Sequence, residues 1–320
     1  MARFDLWPRP FRLAHVGGKP VRFRDDVREC VAFIGVGVGA GFESLGTAFF
    51  IGWGGARYLV TARHVADGLE DLPFAVRVNK NGPAGVVDVT YDPAEHGKDW
   101  PWLVHDDPTV DAALMDFNIN WRMPDVDADA KSIPQEMFLR TDQFDDRNAG
   151  VGDFCYVVGL FRLMRGKTRN LPFVHSGNIG LLPSDERIPV RNWRKEPGAP
   201  KTIHVEGYLV EMTSLGGLSG SPVFVRPTFD FVDLPLNTGE KVTARLPQAD
   251  VYLMGLWQSA WDGDPDDTLR AEVGNYKVPV RIGAVVPVQR IIEILEGPVA
   301  TERRNAFIAR KDAARAANPD

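Results

Sequence analysis

A serine set among glycines is suited to nucleophilic work. In the stretch Gly216-Gly217-Leu218-Ser219-Gly220-Ser221 the scarcity of side chains lets the backbone turn tightly around Ser219 and aim N–H groups at a bound oxygen. Two more polar residues stand at the ends of β-type runs. His64 follows the apolar Tyr-Leu-Val-Thr-Ala-Arg, and Asp111 opens Asp-Ala-Ala-Leu-Met-Asp-Phe, where Ala112 and Ala113 let a neighbour approach. A hydroxyl nucleophile, an imidazole to take its proton and a carboxylate to orient that imidazole are the parts of acyl transfer. Taken singly, each has a plainer reading: a glycine-rich hairpin, a packed surface histidine, a turn aspartate.

The elements that must position these residues read as strands. Short β-type runs fall at 30–38, 46–52, 57–61, 74–79, 85–91 and 111–117, and again at 154–160, 174–181, 203–213, 221–225, 251–259 and 282–286. Two sets of about six, joined by a linker, predict an all-β fold of two six-stranded antiparallel barrels. The boundaries follow: an irregular N-terminal extension over 1–27, a first barrel over 28–120 with His64 and Asp111, and a linker over 121–150. A second barrel over 151–290 carries Ser219 and is interrupted by insertions at 183–201 and 227–250. Apolar residues at helical spacing over 288–295, and an Ala- and Arg-rich run over 301–317, predict a helical tail over 291–320.

Bulk properties exclude several classes of function. The chain has 320 residues, 44% of them apolar, enough for a sizeable core. Its net charge of -6 argues against a general nucleic-acid binder. The two cysteines, Cys30 and Cys155, lie in apolar runs where buried reduced thiols are expected. His15, His96, His105, His175 and His204 are scattered without ligand spacing, so no metal and no cofactor are expected. The glycines from Gly35 to Gly41 lack dinucleotide spacing and lead into a strand. No apolar run has the length of a signal peptide core or a membrane span, so the expectation is a cytoplasmic protein without membrane contact.

Six blocks in order carry a family resemblance. Gly46-Thr-Ala-Phe-Phe-Ile, Thr-Ala-Arg-His64-Val, Asp111-Ala-Ala-Leu, Val151-Gly-Asp-Phe-Cys-Tyr-Val-Val-Gly, Gly-Gly-Leu-Ser219-Gly-Ser-Pro-Val-Phe and Ile282-Gly-Ala-Val-Val-Pro resemble chymotrypsin-fold, trypsin-like serine proteases. The blocks at 46, 151 and 282 resemble the bacterial branch that includes HtrA-type and glutamyl endopeptidases, and no PDZ domain is expected after Leu295. The resemblance implies a serine endopeptidase acting on protein or peptide substrates, with catalytic His64, Asp111 and Ser219. It also implies an oxyanion hole from the N–H groups of Gly217 and Ser219.

Departures from the family pattern carry information. Trypsin-like zymogens place an aspartate before the nucleophile to pair with a freshly cut N-terminal amine, whereas this chain has Leu218, so activity independent of N-terminal processing is expected. The pocket position that is acidic in trypsin-like relatives corresponds to Thr213, with Ser214 beside it, and the substrate-lining histidine of glutamyl endopeptidases corresponds to Trp257. An uncharged, small or aliphatic preference follows. Gln258, Ser259 and Ala260 are expected to form the edge on which a peptide adds as a strand. Restraint of the activity would come from the two insertions or from a regulatory protein partner. The alternative function is a catalytically silent binding module on the same fold.

Overall fold

The computed structural model describes residues 27–317 apart from 71, 82–84, 93, 95–100, 119–127, 184–185, 195–197, 213–215, 228, 236–240, 248–249 and 261–280. The N-terminal extension up to residue 26, together with Thr213 and Ser214, lies outside the described residues.

The first β set forms one sheet. Strands β1 (Val31–Val36), β2 (Glu43–Trp53), β3 (Ala56–Thr61), β4 (Phe74–Lys80), β5 (Val86–Tyr91), β6 (Trp102–Val104) and β7 (Ala113–Asp116) lie in the order β5-β4-β1-β2-β3-β7-β6. The short helix α1 (Arg63–Asp67) follows β3. The expected linker contributes to this sheet: β8 (Ala128–Asp129) pairs with β4, and β9 (Ile133–Pro134) runs parallel to β2. The sheet therefore has nine strands where about six were expected. Rings draw its two edges together, since Phe74 of β4 stacks on Tyr91 of β5 at 5.0 Å and on Trp102 of β6 at 6.0 Å.

The second set closes completely. In chain order it comprises β10 (Phe154–Gly159), β11 (Phe173–Leu181), β12 (Ile188–Arg191), β13 (Thr202–Val205), β14 (Tyr208–Glu211), β15 (Pro222–Arg226), β16 (Phe229–Pro235), β17 (Lys241–Pro247), β18 (Tyr252–Ala260) and β19 (Ile282–Pro287). Six of these make a closed barrel in the order β10-β11-β14-β19-β18-β15. The run expected at 203–213 is split at Glu206 and Gly207, because its first part pairs with β12 in a separate hairpin. A Cβ on Gly207 would lie 2.8 Å from the Val285 carbonyl oxygen, so the crossing into β14 takes only glycine without rearrangement. The insertion at 227–250 is a second hairpin, β16 with β17.

Both faces of β2 are covered, which is why Phe49, Phe50 and Ile51 are buried in succession instead of alternating. The same apolar cluster takes in Val158, Leu160 and Phe224 of the second barrel and Ile291 and Leu295 of a C-terminal helix. That helix, α2 (Val288–Glu296), leads into α3 (Pro298–Ala317). In α3, Arg304 Nη1 donates to the Leu295 carbonyl at 2.9 Å, and Arg303 stands 3.9 Å from Asp116. Ile308 approaches the β2–β3 turn, where a Cβ on Gly55 would meet its Cδ1 at 3.7 Å. The helical tail thus docks on the first sheet of its own chain. Cys30 and Cys155 are buried and free, with burial pushing the Cys155 thiol up to about 12.

Candidate active site

The register of β3 against β7 assembles the first pair. Thr61 lies opposite Ala113, so His64, just past the end of β3, and Asp111, just before the start of β7, meet at one end of the sheet. Asp111 is fully buried and accepts two hydrogen bonds from His64: Nδ1 at 2.7 Å to Oδ2, and the backbone N–H at 2.9 Å to Oδ1. One carboxylate thereby fixes both the ring and the peptide that carries it. Burial alone would lower the His64 pKa, but the charge of Asp111 and its hydrogen bond outweigh burial and hold it above the ordinary imidazole value. The ring remains partly exposed, with 26% of the side chain accessible.

Ser219 comes from the second barrel on the turn before β15. The turn is fastened to its own barrel by Gly220 N–H to the Trp257 carbonyl (3.0 Å) and Trp257 N–H to the Ser221 carbonyl (2.8 Å). It is fastened to the first sheet by Thr47 of β2, which sequence inspection noted only as part of a block. The Thr47 N–H donates to the Ser219 carbonyl at 3.0 Å, and its hydroxyl donates to the Gly217 carbonyl at 2.8 Å. The same hydroxyl accepts from Leu160 N–H at 2.9 Å, and the Thr47 carbonyl accepts from the Thr61 hydroxyl at 2.7 Å. A fully buried threonine thus ties the serine turn to the strand that leads to His64. Its only sequence signal is a β-branched hydroxyl in an otherwise apolar strand.

Glycine is required at two points of this turn. Gly217 has φ +105° and Gly220 φ +85°, and a Cβ on Gly220 would lie 2.1 Å from the Thr47 carbonyl oxygen. Among the described residues, the N–H groups of Gly217 and Ser219 meet no acceptor. The Ser219 hydroxyl donates to the Gln258 carbonyl at 3.3 Å. No hydrogen bond joins it to His64 among the described residues.

The expected peptide edge lies beside this turn. Pairing of β15 with β18 reaches only as far as Pro222 opposite Leu256, whereas β18 continues through Ser259 and Ala260 against β19. The β15 side of Ser259 and Ala260 therefore has no strand on it among the described residues. Gln258 sits at the register shift between Trp257 and Ser259, nearly buried, and its Nε2 has no partner. Trp257 is buried with its ring over Gly283, where a Cβ would lie 2.0 Å from the indole Cη2. Leu218, just before Ser219, is buried in the apolar interior of the second barrel. Among the described residues no group of three or more His, Cys, Asp and Glu side chains could hold a metal, and no helix is long and apolar enough to cross a membrane.

No protein-family model and no curated protein matches the chain. Several solved structures are similar in chain path. The inactive form of the Rv3671c protease of M. tuberculosis H37Rv matches at 17% identity, over 84% of this chain and 88% of that one, with a TM-score of 0.38. An HtrA-type protease, AlgW, solved with a decapeptide, matches at 16% identity over 88% of this chain and 65% of that one, with a TM-score of 0.39. A structure of AlgW with a tripeptide gives 16% identity, 84% and 60% coverage, and a TM-score of 0.43. These figures describe a loose likeness of chain path and say nothing of chemistry.

Proposed function

We propose that the protein is a serine endopeptidase in which Ser219, His64 and Asp111 act together. The observation that carries this reading is the buried Asp111 carboxylate, which takes both the Nδ1 and the backbone N–H of His64. A hydrogen bond at Nδ1 leaves Nε2 as the basic nitrogen, and Nε2 is the atom that must face a nucleophile.

In the reaction the Ser219 hydroxyl leaves the Gln258 carbonyl and passes its proton to His64 Nε2 as its oxygen attacks the scissile carbonyl. Asp111 stabilises the imidazolium that forms. The developing oxyanion is held by the N–H groups of Gly217 and Ser219, a contribution of about 3 to 4 kcal/mol per donor. His64 then gives its proton to the leaving amine, the C–N bond breaks, and water, deprotonated by His64, releases the acyl group from Ser219. The acyl side of the substrate lies along Gln258, Ser259 and Ala260 as an added strand. Trp257, whose indole packs on Gly283, stands where a charged partner would be needed, so the primary pocket takes an uncharged, small or aliphatic side chain. Leu218, buried and apolar, offers nothing for a new N-terminal amine to pair with, so no N-terminal cleavage is needed.

Labelling by a fluorophosphonate probe, abolished in Ser219→Ala, tests the reading. The contact of the Ser219 hydroxyl with the Gln258 carbonyl favours a second one, a protease-fold binding module whose nucleophile stays turned away from His64. Absence of labelling in the wild-type protein would support that alternative and overturn the first.

A further inference from the structure

The loop between β10 and β11 puts a cation that meets no carboxylate among the described residues on the Ser219 turn. Arg162 opens a 3-10 turn, Arg162–Met164, and its stem lies along Gly216 and Gly217. A Cβ on Gly217 would meet Arg162 Cγ at 3.2 Å, and one on Gly216 would meet Cδ at 3.7 Å. From there Nη2 reaches the Leu45 carbonyl on β2 at 3.4 Å, a long hydrogen bond that leaves most of the donors free. Arg165 in the same loop donates to the Phe42 carbonyl at 3.2 Å, and Lys167 follows. Among the described residues, none of these three cations meets a carboxylate. Between them Leu163 and Met164 are exposed at 88% and 64%.

The side of the nucleophile on which this cluster stands gives it a meaning. Gln258, the start of the edge for the acyl part of the substrate, touches Ser219 on one flank. Arg162 covers the Gly216–Gly217 turn and reaches β2 on the other, which is where the chain continues past the scissile bond. We propose that the loop of Arg162, Arg165 and Lys167 is a specificity surface that selects acidic side chains in the first three residues after the cleaved bond, Arg162 taking the nearest of them. This rests on the endopeptidase reading and deepens it. A guanidinium without a carboxylate partner gains an ion pair when such a substrate binds, and Leu163 and Met164 supply apolar contact alongside.

Cleavage-site profiling of a peptide library by the full-length protein tests it, with fluorophosphonate labelling run in parallel. Wild-type sites should be enriched in Asp and Glu after the cleaved bond. On a matched peptide pair built from the best site, Glu should be preferred over Gln by about fivefold in kcat/KM, the size of one partly exposed ion pair. Arg162→Gln should erase the preference and Arg162→Glu should turn it toward Lys and Arg. Rising salt should weaken it in the wild-type protein, a readout that needs no variant. Wild-type protein that labels but cuts without acidic enrichment, or an enrichment that survives both substitutions, overturns this proposal alone. Failure of the wild-type protein to label overturns the endopeptidase reading and this proposal with it.

Discussion

The two halves of the molecule hold the residues of the proposed triad in opposite ways. The first sheet builds His64 and Asp111 from side chains: strand register brings them together, and a carboxylate accepting two hydrogen bonds locks the ring. The second barrel presents Ser219 from backbone: two glycines with positive φ shape the turn, and main-chain bonds to Trp257 anchor it. Closure differs too, the first sheet meeting edge to edge through aromatic rings and the second barrel through an unbroken ladder of strands. Side-chain locking tunes a pKa, whereas backbone anchoring fixes a position. A proton acceptor needs the former and a nucleophile the latter. Thr47 is where the two methods meet, a first-sheet side chain holding a second-barrel turn.

This contrast can be broken from either side. Ser219→Ala removes the proposed nucleophile and should lower kcat by about 10^6-fold without changing the melting temperature. Asp111→Asn attacks the first half: kcat should fall by about 10^4-fold, because an amide no longer favours the imidazolium or the required tautomer. Thr47→Val cuts the link, leaving the Gly217 carbonyl and the Leu160 N–H without their partner. Stability should drop by about 1 to 3 kcal/mol, and kcat should fall while the His64 titration stays in place. A shifted His64 titration in that variant would mean that the halves are not separately tuned.

A gentler test compares one histidine from each half by NMR titration. His64, held above the ordinary value of about 6.5 by Asp111, must be neutral to act as base, so the acid limb of kcat/KM should lie above that value. Its contribution to stability is present below about pH 6.5 and is lost as pH rises through its folded pKa. His175 on β11 is buried against Phe173, with ring centroids 4.5 Å apart, and burial holds its pKa below the ordinary value. Its contribution runs the other way: present above about pH 6.5, it is lost as pH falls toward the folded pKa. Asp111→Asn should move the first midpoint down and leave the second unchanged.

Much of this arrangement was legible in the sequence. Every strand of the closed barrel falls on a predicted apolar run, four of them overrunning it by one residue, and His64 and Asp111 were marked by standing where such runs end. What escaped were features that carry no periodic signal. A strand of three residues, Trp102–Val104, is too short to alternate, and β8 and β9 are shorter still. The break between β13 and β14 depends on Gly207 passing the Val285 carbonyl, a contact distant in sequence. Thr47 looked like one more β-former because its work lies in hydrogen bonds to residues as distant in sequence as Leu160, Gly217 and Ser219. Of the residues assigned to substrate binding, Gln258, Ser259 and Ala260 lie on β18 beside the Ser219 turn. Thr213 and Ser214 lie outside the described residues.

The C-terminal helices have a temporal consequence. Helix α2 leaves the second barrel at β19, lies against β7 and β18, and buries Ile291 and Leu295 in the cluster that encloses Phe50 and Ile51. Translation delivers the His64 sheet before its apolar cover. A nascent chain that ends before Val288 has synthesised His64, Asp111 and Ser219, yet still lacks the helix that covers Phe50 and Ile51. Final packing of the His64 sheet therefore waits on residues synthesised after Ser219.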